Sequence, residues 1–188
     1  MMQKYLNKSQ LKKIGFTKIG KNNKISKTLR AYNFKGVLGS NNRIDDDVIL
    51  KGAIDFKNNI HIGRGCTLSG NNYGIEINDF VSLSNYVQVF CMSDNYKGSG
   101  LSGGTLKEDQ RNKYSESYKG PIKIGKCCIV GPFSVILPNS TIGNFSSLAA
   151  MSVISGTVKK GVFFKNKKNF IKNYKRLEKL YKIFTTNS

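Results

Sequence analysis

Between Ile124 and Ile154 the chain reads IGKCCIVGPFSVILPNSTIGNFSSLAAMSVI, and the spacing inside that stretch decides the fold. Aliphatic residues stand at every sixth position: Ile124, Val130, Ile136, Ile142, Leu148 and Ile154. Four residues after each of the first five comes a small or modest side chain: Cys128, Ser134, Ser140, Ser146 and Ser152. Neither the helical period nor two-residue alternation produces that rhythm. A six-residue repeat predicts a parallel β-helix, in which each hexad makes one short strand and one turn. Gly125, Gly131 and Gly143 directly follow their aliphatic residues, where the turn is tight and a Cβ is unwelcome.

The rhythm extends outward in both directions. Ile19, Ile25 and Ala31 are six apart, with Asn23 and Leu29 at the fourth positions. A one-residue slip then brings in Leu38, Ile44, Leu50, Phe56, Ile62 and Leu68, whose inward companions are Val48, Ile54, Ile60 and Cys66. A short insertion at Gly70-Asn71-Asn72-Tyr73 resets the phase, and Ile77, Leu83 and Val89 continue it, with Val81 and Val87 inward. Three strands per coil give about 18 residues per turn, with coils stacked at strand spacing. The domain expectation is therefore an N-terminal segment over residues 1–18 and a β-helix over 19–164. An excursion loop at 93–119, polar and glycine-rich, interrupts it; insertions in repeat proteins gather on the binding face.

Residues 165–188 are expected to form a basic C-terminal helix. Phe170, Ile171, Tyr174, Leu177, Leu180, Tyr181 and Phe184 fall on one side, with Lys172, Lys175, Arg176, Lys179 and Lys182 mostly on the other. The open end of a solenoid is an unpaired edge that needs a cover, so the helix is expected to cap the last coil. A helix lying on a membrane surface is the alternative.

Composition narrows the function classes. The 188 residues carry 31 Lys and Arg against 11 Asp and Glu, a net charge of +20, which attracts anions such as cofactor phosphates. The basic residues are not interleaved with aromatics in a recognised module, so nucleic acid is not an expected partner. Four cysteines give neither a disulfide framework nor zinc spacing, and with a single histidine a metal site is not expected. No apolar signal core follows Met1 and no run is long enough to span a bilayer, so a cytoplasmic protein is expected, with a membrane surface compatible but not required.

The stretch Ile124–Gly143 resembles the hexapeptide-repeat acyltransferases, and the resemblance covers nearly the whole chain. It implies an all-β fold, a left-handed parallel β-helix shaped as a triangular prism, assembled as a homotrimer and using acetyl-CoA as acyl donor. Val89-Phe90-Cys91-Met92-Ser93-Asp94-Asn95-Tyr96-Lys97-Gly98 resembles the branch that carries aspartate where other members have a loop histidine. That branch resembles sugar O-acetyltransferases of surface-polysaccharide biosynthesis. Arg43-Ile44-Asp45-Asp46 and Ile60-His61-Ile62 agree with it.

Acyl transfer requires an acceptor held against the thioester carbonyl, a base for its proton and a donor for the oxyanion. His61 and Asp94 are the candidate catalytic residues. His61 lies between two inward residues and so points outward, where on an interface it would meet a neighbour's Asp94. Tyr96, Ser93, Asp45 and Asp46 are candidates for the acceptor site. For the cofactor, the resemblance implies the pantetheine arm along Gly131, Ala149 and Ala150, with Lys159, Lys160 and Lys167 near the phosphates. The family's Gly-Asn-Pro-Ala-Lys segment is replaced here by Lys165-Asn166-Lys167-Lys168-Asn169, without proline. The leading reading is transfer of an acetyl group to a sugar hydroxyl. The alternatives are N-acetylation of a nucleotide-linked amino sugar, or a non-catalytic β-helix that binds or scaffolds.

Overall fold

In the computed structural model, which describes residues 5–165, 168–171 and 175–186, the hexads form three parallel walls. The first wall stacks Leu38 on Phe56, Ile77, Ile124, Ile142 and Val158 in register. The second stacks Ile25, Ile44, Ile62, Leu83, Val130, Leu148 and Phe164. The third stacks Ala31, Leu50, Leu68, Val89, Ile136 and Ile154. This is the left-handed parallel β-helix expected from the six-residue rhythm. Each aliphatic residue of the hexads from Leu38 to Val158 is buried, so the core is a continuous column down the prism axis.

The fourth positions also point inward. Val48, Ile54, Ile60, Cys66, Val81 and Val87 are at most 1% exposed, and so are Ser134, Ser140 and Ser146. Buried hydroxyls need partners, and the stack supplies them. Ser146 Oγ donates to the carbonyl of Lys159 at 2.8 Å and accepts from the amide of Val162 at 3.2 Å. Ser134 does the same between Ala149 and Ser152. The glycines are small because the next coil lies against them: a Cβ on Gly143 would sit 2.4 Å from the Lys160 nitrogen.

Turning between walls requires left-handed backbone, costly for residues other than glycine and asparagine. At the first-to-second corner these positions are Asn22, Asn41, Asn59, Phe80, Cys127, Phe145 and Gly161. At the second-to-third corner they include Asp47, Gly65, Tyr86, Phe133 and Met151. The bulky residues among them form ridges on the outside of the prism, and one ridge is covered.

The cover is the C-terminal helix, and its course differs from expectation. Helix α1 (Lys8–Lys13), capped by Asn7, packs Leu11 at the N-terminal end. Helix α2 (Glu108–Tyr114) lies in the excursion, and α3 spans Lys175–Thr186. The stretch 165–188, expected to be helical, instead includes a strand, Lys168–Ile171, antiparallel to Val162–Lys165. The exposed strand edge of the last coil explains this: its free backbone groups take a partner strand before the chain turns helical. Phe170 lies over Phe163 across that hairpin, ring centroids 6.4 Å apart. Helix α3 then runs back along the side of the stack and does not cap its end. Glu178 pairs with Lys160 at 3.1 Å, Tyr181 meets Phe145 and Phe80, and Phe184 meets Phe80. Lys172 and Tyr174 lie outside the described residues.

Candidate functional site

The excursion leaves the third wall after Phe90 and rejoins the first at Ile122. It is more ordered than its polar composition suggests. Met92–Asp94 pairs antiparallel with Ser117–Lys119, making a ribbon at the corner. Arg111 donates to the carbonyls of Gly103 and Leu106, at 3.0 and 3.2 Å, tying the tip to α2. Glu116 accepts from Ser99 at 2.6 Å and Asn95 at 2.9 Å, and these hydrogen bonds hold its carboxyl below the ordinary carboxylate value. Between the ribbon and the corner of the later coils lies a cleft of about 380 Å³, lined by Ser93, Tyr96, Lys97, Tyr118, Leu137 and Pro138 among others. The Ser93 hydroxyl is hydrogen-bonded to the Tyr96 hydroxyl, and Asp94 accepts from Ser102 at 3.3 Å.

A second polar cluster sits on the outer face of the second wall. Strand register places Arg43 beside His61. Asp45 lies between them: His61 Nε2 is 2.8 Å from Asp45 Oδ2, and Arg43 Nε is 2.6 Å from Asp45 Oδ1. Burial works to raise the Asp45 carboxyl, but the hydrogen bonds to His61 and Arg43 outweigh it and hold the group below its ordinary value. With Nε2 taken by Asp45, the other ring nitrogen, Nδ1, is the one open to a reacting group. Asp46 accepts from Ser26, and Asp47 accepts from both Nε and Nη2 of Arg64. Ser26, Arg43, Asp45, Asp46 and Arg64 line a cleft of about 240 Å³ that also includes Tyr5 and Asn85.

Within the chain His61 is hydrogen-bonded to Asp45, and Asp94, expected to meet a neighbour's His61, lies on the excursion ribbon. Asp45, a candidate for the acceptor site, accepts one hydrogen bond on each oxygen and keeps a further lone pair on each. The cofactor candidates also divide. Gly131, Ala149 and Ala150 come together at the second-to-third corner, where a Cβ on Gly131 would lie 2.4 Å from the Ala150 nitrogen. That closeness belongs to coil stacking. Lys159 and Lys160 lie at the other edge of the second wall, and Lys160 is held by Glu178 and lies over the Phe145 ring. Lys167 falls outside the described residues.

Reading residues one at a time missed Arg43, Lys97 and Tyr118. The 18-residue offset between Arg43 and His61 is the signal that finds the first. The others become neighbours only through the ribbon. Among the described residues no cluster of three or more His, Cys, Asp or Glu could hold a metal ion, and no helix is long and apolar enough to cross a membrane.

Comparison with known proteins adds three findings. Residues 121–156 match the family model described as bacterial transferase hexapeptide (six repeats). The chain is 30% identical over 154 residues to the dTDP-4-amino-4,6-dideoxy-D-glucose acyltransferase of Escherichia coli, covering 80% of this chain and 78% of that one. It superposes along its full length on AntD, an N-acyltransferase from Bacillus cereus. The TM-score is 0.87 at 30% identity for the complex with dTDP and 3-hydroxybutyryl-CoA, covering 100% of both chains. It is 0.89 at 29% identity, again with 100% coverage, for a variant bound to dTDP-4-amino-4,6-dideoxyglucose and coenzyme A. The hexads, the ordered excursion and these likenesses together place the chain in the hexapeptide-repeat acyltransferase family, to which it belongs.

Proposed function

We propose that this chain transfers an acyl group from acyl-CoA to the amino group of a nucleotide-linked amino sugar, working as a homotrimer. The observation that carries this reading is the full-length likeness to AntD, an N-acyltransferase solved with a dTDP-amino sugar and coenzyme A. It turns the acceptor from the sugar hydroxyl expected first to the amine held as the alternative. In the reaction the amine nitrogen attacks the thioester carbonyl, forming the C–N bond. The tetrahedral intermediate then collapses, breaking the C–S bond and releasing the CoA thiol, which takes up the proton that nitrogen loses.

An amine is a better nucleophile than a hydroxyl, so the demand on a base is modest: it needs to keep the amine unprotonated and receive its proton. The excursion cleft suits the acceptor, with Ser93 and Tyr96 as hydrogen-bonding groups and Asp94 as a carboxylate beside them. His61, oriented by Asp45, is the second candidate base, delivered from a neighbouring copy. Asp45 and Asp46, the latter beside Ser26, are the remaining acceptor candidates. Gly131, Ala149 and Ala150 form a low shelf along which a pantetheine arm can reach backbone, and Lys159 and Lys160 are the candidate phosphate partners.

The test is thiol release from acetyl-CoA and 3-hydroxybutyryl-CoA, with dTDP-4-amino-4,6-dideoxyglucose as acceptor and the 4-hydroxy analogue as control. Amine-dependent release is expected, and turnover of the hydroxyl alone would return the reading to O-acylation. Asp94→Ala should lower kcat by roughly 100-fold if its carboxylate takes the proton. If His61→Ala loses as much and Asp94→Ala loses nothing, the base is His61.

A further inference from the structure

The two sides of the excursion cleft are held in different ways. Leu137, Pro138 and Ser155 belong to the stacked coils, whereas Ser93, Tyr96 and Lys97 belong to the excursion. Tyr96 and Lys97 sit on a turn that runs from Asn95 to Ser99, directly after the ribbon strand Met92–Asp94. Tyr96 is 76% exposed, so burial does not set its place. A turn so open to water keeps one conformation only where hydrogen bonds offset the entropy of ordering it.

Those bonds converge on Glu116. Asn95 donates its backbone amide to the Glu116 carbonyl at 3.0 Å and its side-chain amide to Glu116 Oε2 at 2.9 Å. Ser99 donates its hydroxyl to the same Oε2 at 2.6 Å, so one carboxylate oxygen joins the first residue of the turn to the last. Asn95 Nδ2 also lies 2.6 Å from Ser99 Oγ, which closes the triangle. Inside the turn, Lys97 donates its backbone amide to Asn95 Oδ1 at 2.9 Å, and Gly98, at φ +77°, lets the chain double back. Gly100 then lies close against the returning chain, where a Cβ would stand 2.8 Å from the Glu116 nitrogen. Leu101 donates to the Tyr114 carbonyl at 2.8 Å and ties down the far end. Hydrogen bonds to an ionised carboxylate are roughly twice as strong as those between neutral groups. Glu116 itself stands outside the lining of the cleft.

We infer that Glu116 is a positioning residue: its carboxylate fastens the Asn95–Ser99 turn to the start of the returning strand Ser117–Lys119, and so holds Tyr96 and Lys97 against the acceptor cleft. Tyr118, on that strand, lines the same cleft, so the fastening joins two of its lining segments. The role of the cleft rests on the proposed acyl transfer; the fastening itself does not.

Two measurements on the full chain test it, and the first needs no substrate. Brief trypsin digestion of the native protein, with fragments read by mass, follows cleavage after Lys97 in the turn. Glu116→Ala should speed that cut roughly fivefold or more, because cleavage tracks local opening. Glu116→Gln keeps an acceptor oxygen and should lie between Glu116→Ala and the wild type. Glu108→Ala, which removes an acidic side chain from α2 of the same excursion, should change nothing. The second measurement is the kinetics of transfer from acetyl-CoA to dTDP-4-amino-4,6-dideoxyglucose. In Glu116→Ala the KM of the amine should rise roughly fivefold or more, with the KM of acetyl-CoA and the Tm unchanged. A variant that is only destabilised would instead lose kcat through a smaller folded fraction and keep both KM values. An unchanged cut, an unmoved acceptor KM, or a Glu116→Gln no better than Glu116→Ala on both readouts overturns the proposal. A wild type that acylates no amine sinks the functional reading alone, and the trypsin comparison then decides whether Glu116 fastens the turn.

Discussion

The coils before the excursion and the coils after it build the same prism from different chemistry. Before it, the inward fourth positions are Val48, Ile54, Ile60, Val81 and Val87, and the column also holds Phe16 and Phe56. After it, the corresponding positions are Ser134, Ser140, Ser146 and Ser152, each buried and hydrogen-bonded to backbone of its own or the next coil. The early coils are held by apolar volume, and their ladder is interrupted by inserted residues between Tyr32 and Lys35 and around Gly52. The later coils have smaller inward side chains at the fourth positions, evenly spaced strands and corner carbonyls met by hydroxyls. The family model's match, residues 121–156, lies in the later coils. Regular spacing is thus tied to the hydroxyl-lined half, while the greasier half tolerates irregular lengths because packing volume, and not a fixed hydrogen-bond pattern, holds it.

Breaking the later half should require only one charge. Ser140 is 0% exposed, so Ser140→Lys buries an ammonium without a partner, a cost of several kcal/mol even after relaxation. The variant should be recovered unfolded, and a soluble folded form would contradict the inward frame. Next in size is truncation in the early half: Ile54→Ala, at 1% exposure, should cost about 2–5 kcal/mol in urea unfolding. The equivalent change in the later half, Ser146→Ala, removes little volume but strands the Val162 amide, so about 1–3 kcal/mol is expected. If Ser146→Ala costs more than Ile54→Ala, the division between volume and hydrogen bonding is wrong.

The smallest effect concerns acid. Asp45 sits in the early half with its carboxyl held below the ordinary value, so its contribution is fully present above pH about 4 and is lost as pH falls through the lowered value. Asp45→Asn should therefore flatten the loss of stability as pH falls below about 4, by about 1 kcal/mol or less for so accessible a pair. An unchanged acid limb would show that His61 and Arg43 do not favour the charged form in solution.

The prism was legible because its signal is redundant: an aliphatic residue at each sixth position can fail once, as at Gly70–Tyr73, and the frame resumes. The serines were legible for the same reason, since position alone places Ser140 inside. Side-chain pairing was less so. Asp45 beside His61 follows from an 18-residue coil plus two-residue alternation, but a hydrogen bond depends on rotamers that spacing does not encode. The excursion carries no repeat, so nothing in its composition foretold a ribbon pairing Ser93 with Tyr118. The strand at Lys168–Ile171 arises from an open edge three-dimensionally beside it, a cause that local helical periodicity cannot contain.

Helix α3 reaches Phe80, which precedes the excursion, and Phe145, which follows it. It therefore acts as a splint across the point where the stack is interrupted by some thirty residues of chain. The clasp lies on a different corner from the ribbon, so the coils on either side of the interruption are tied together independently of the excursion's own hydrogen bonds.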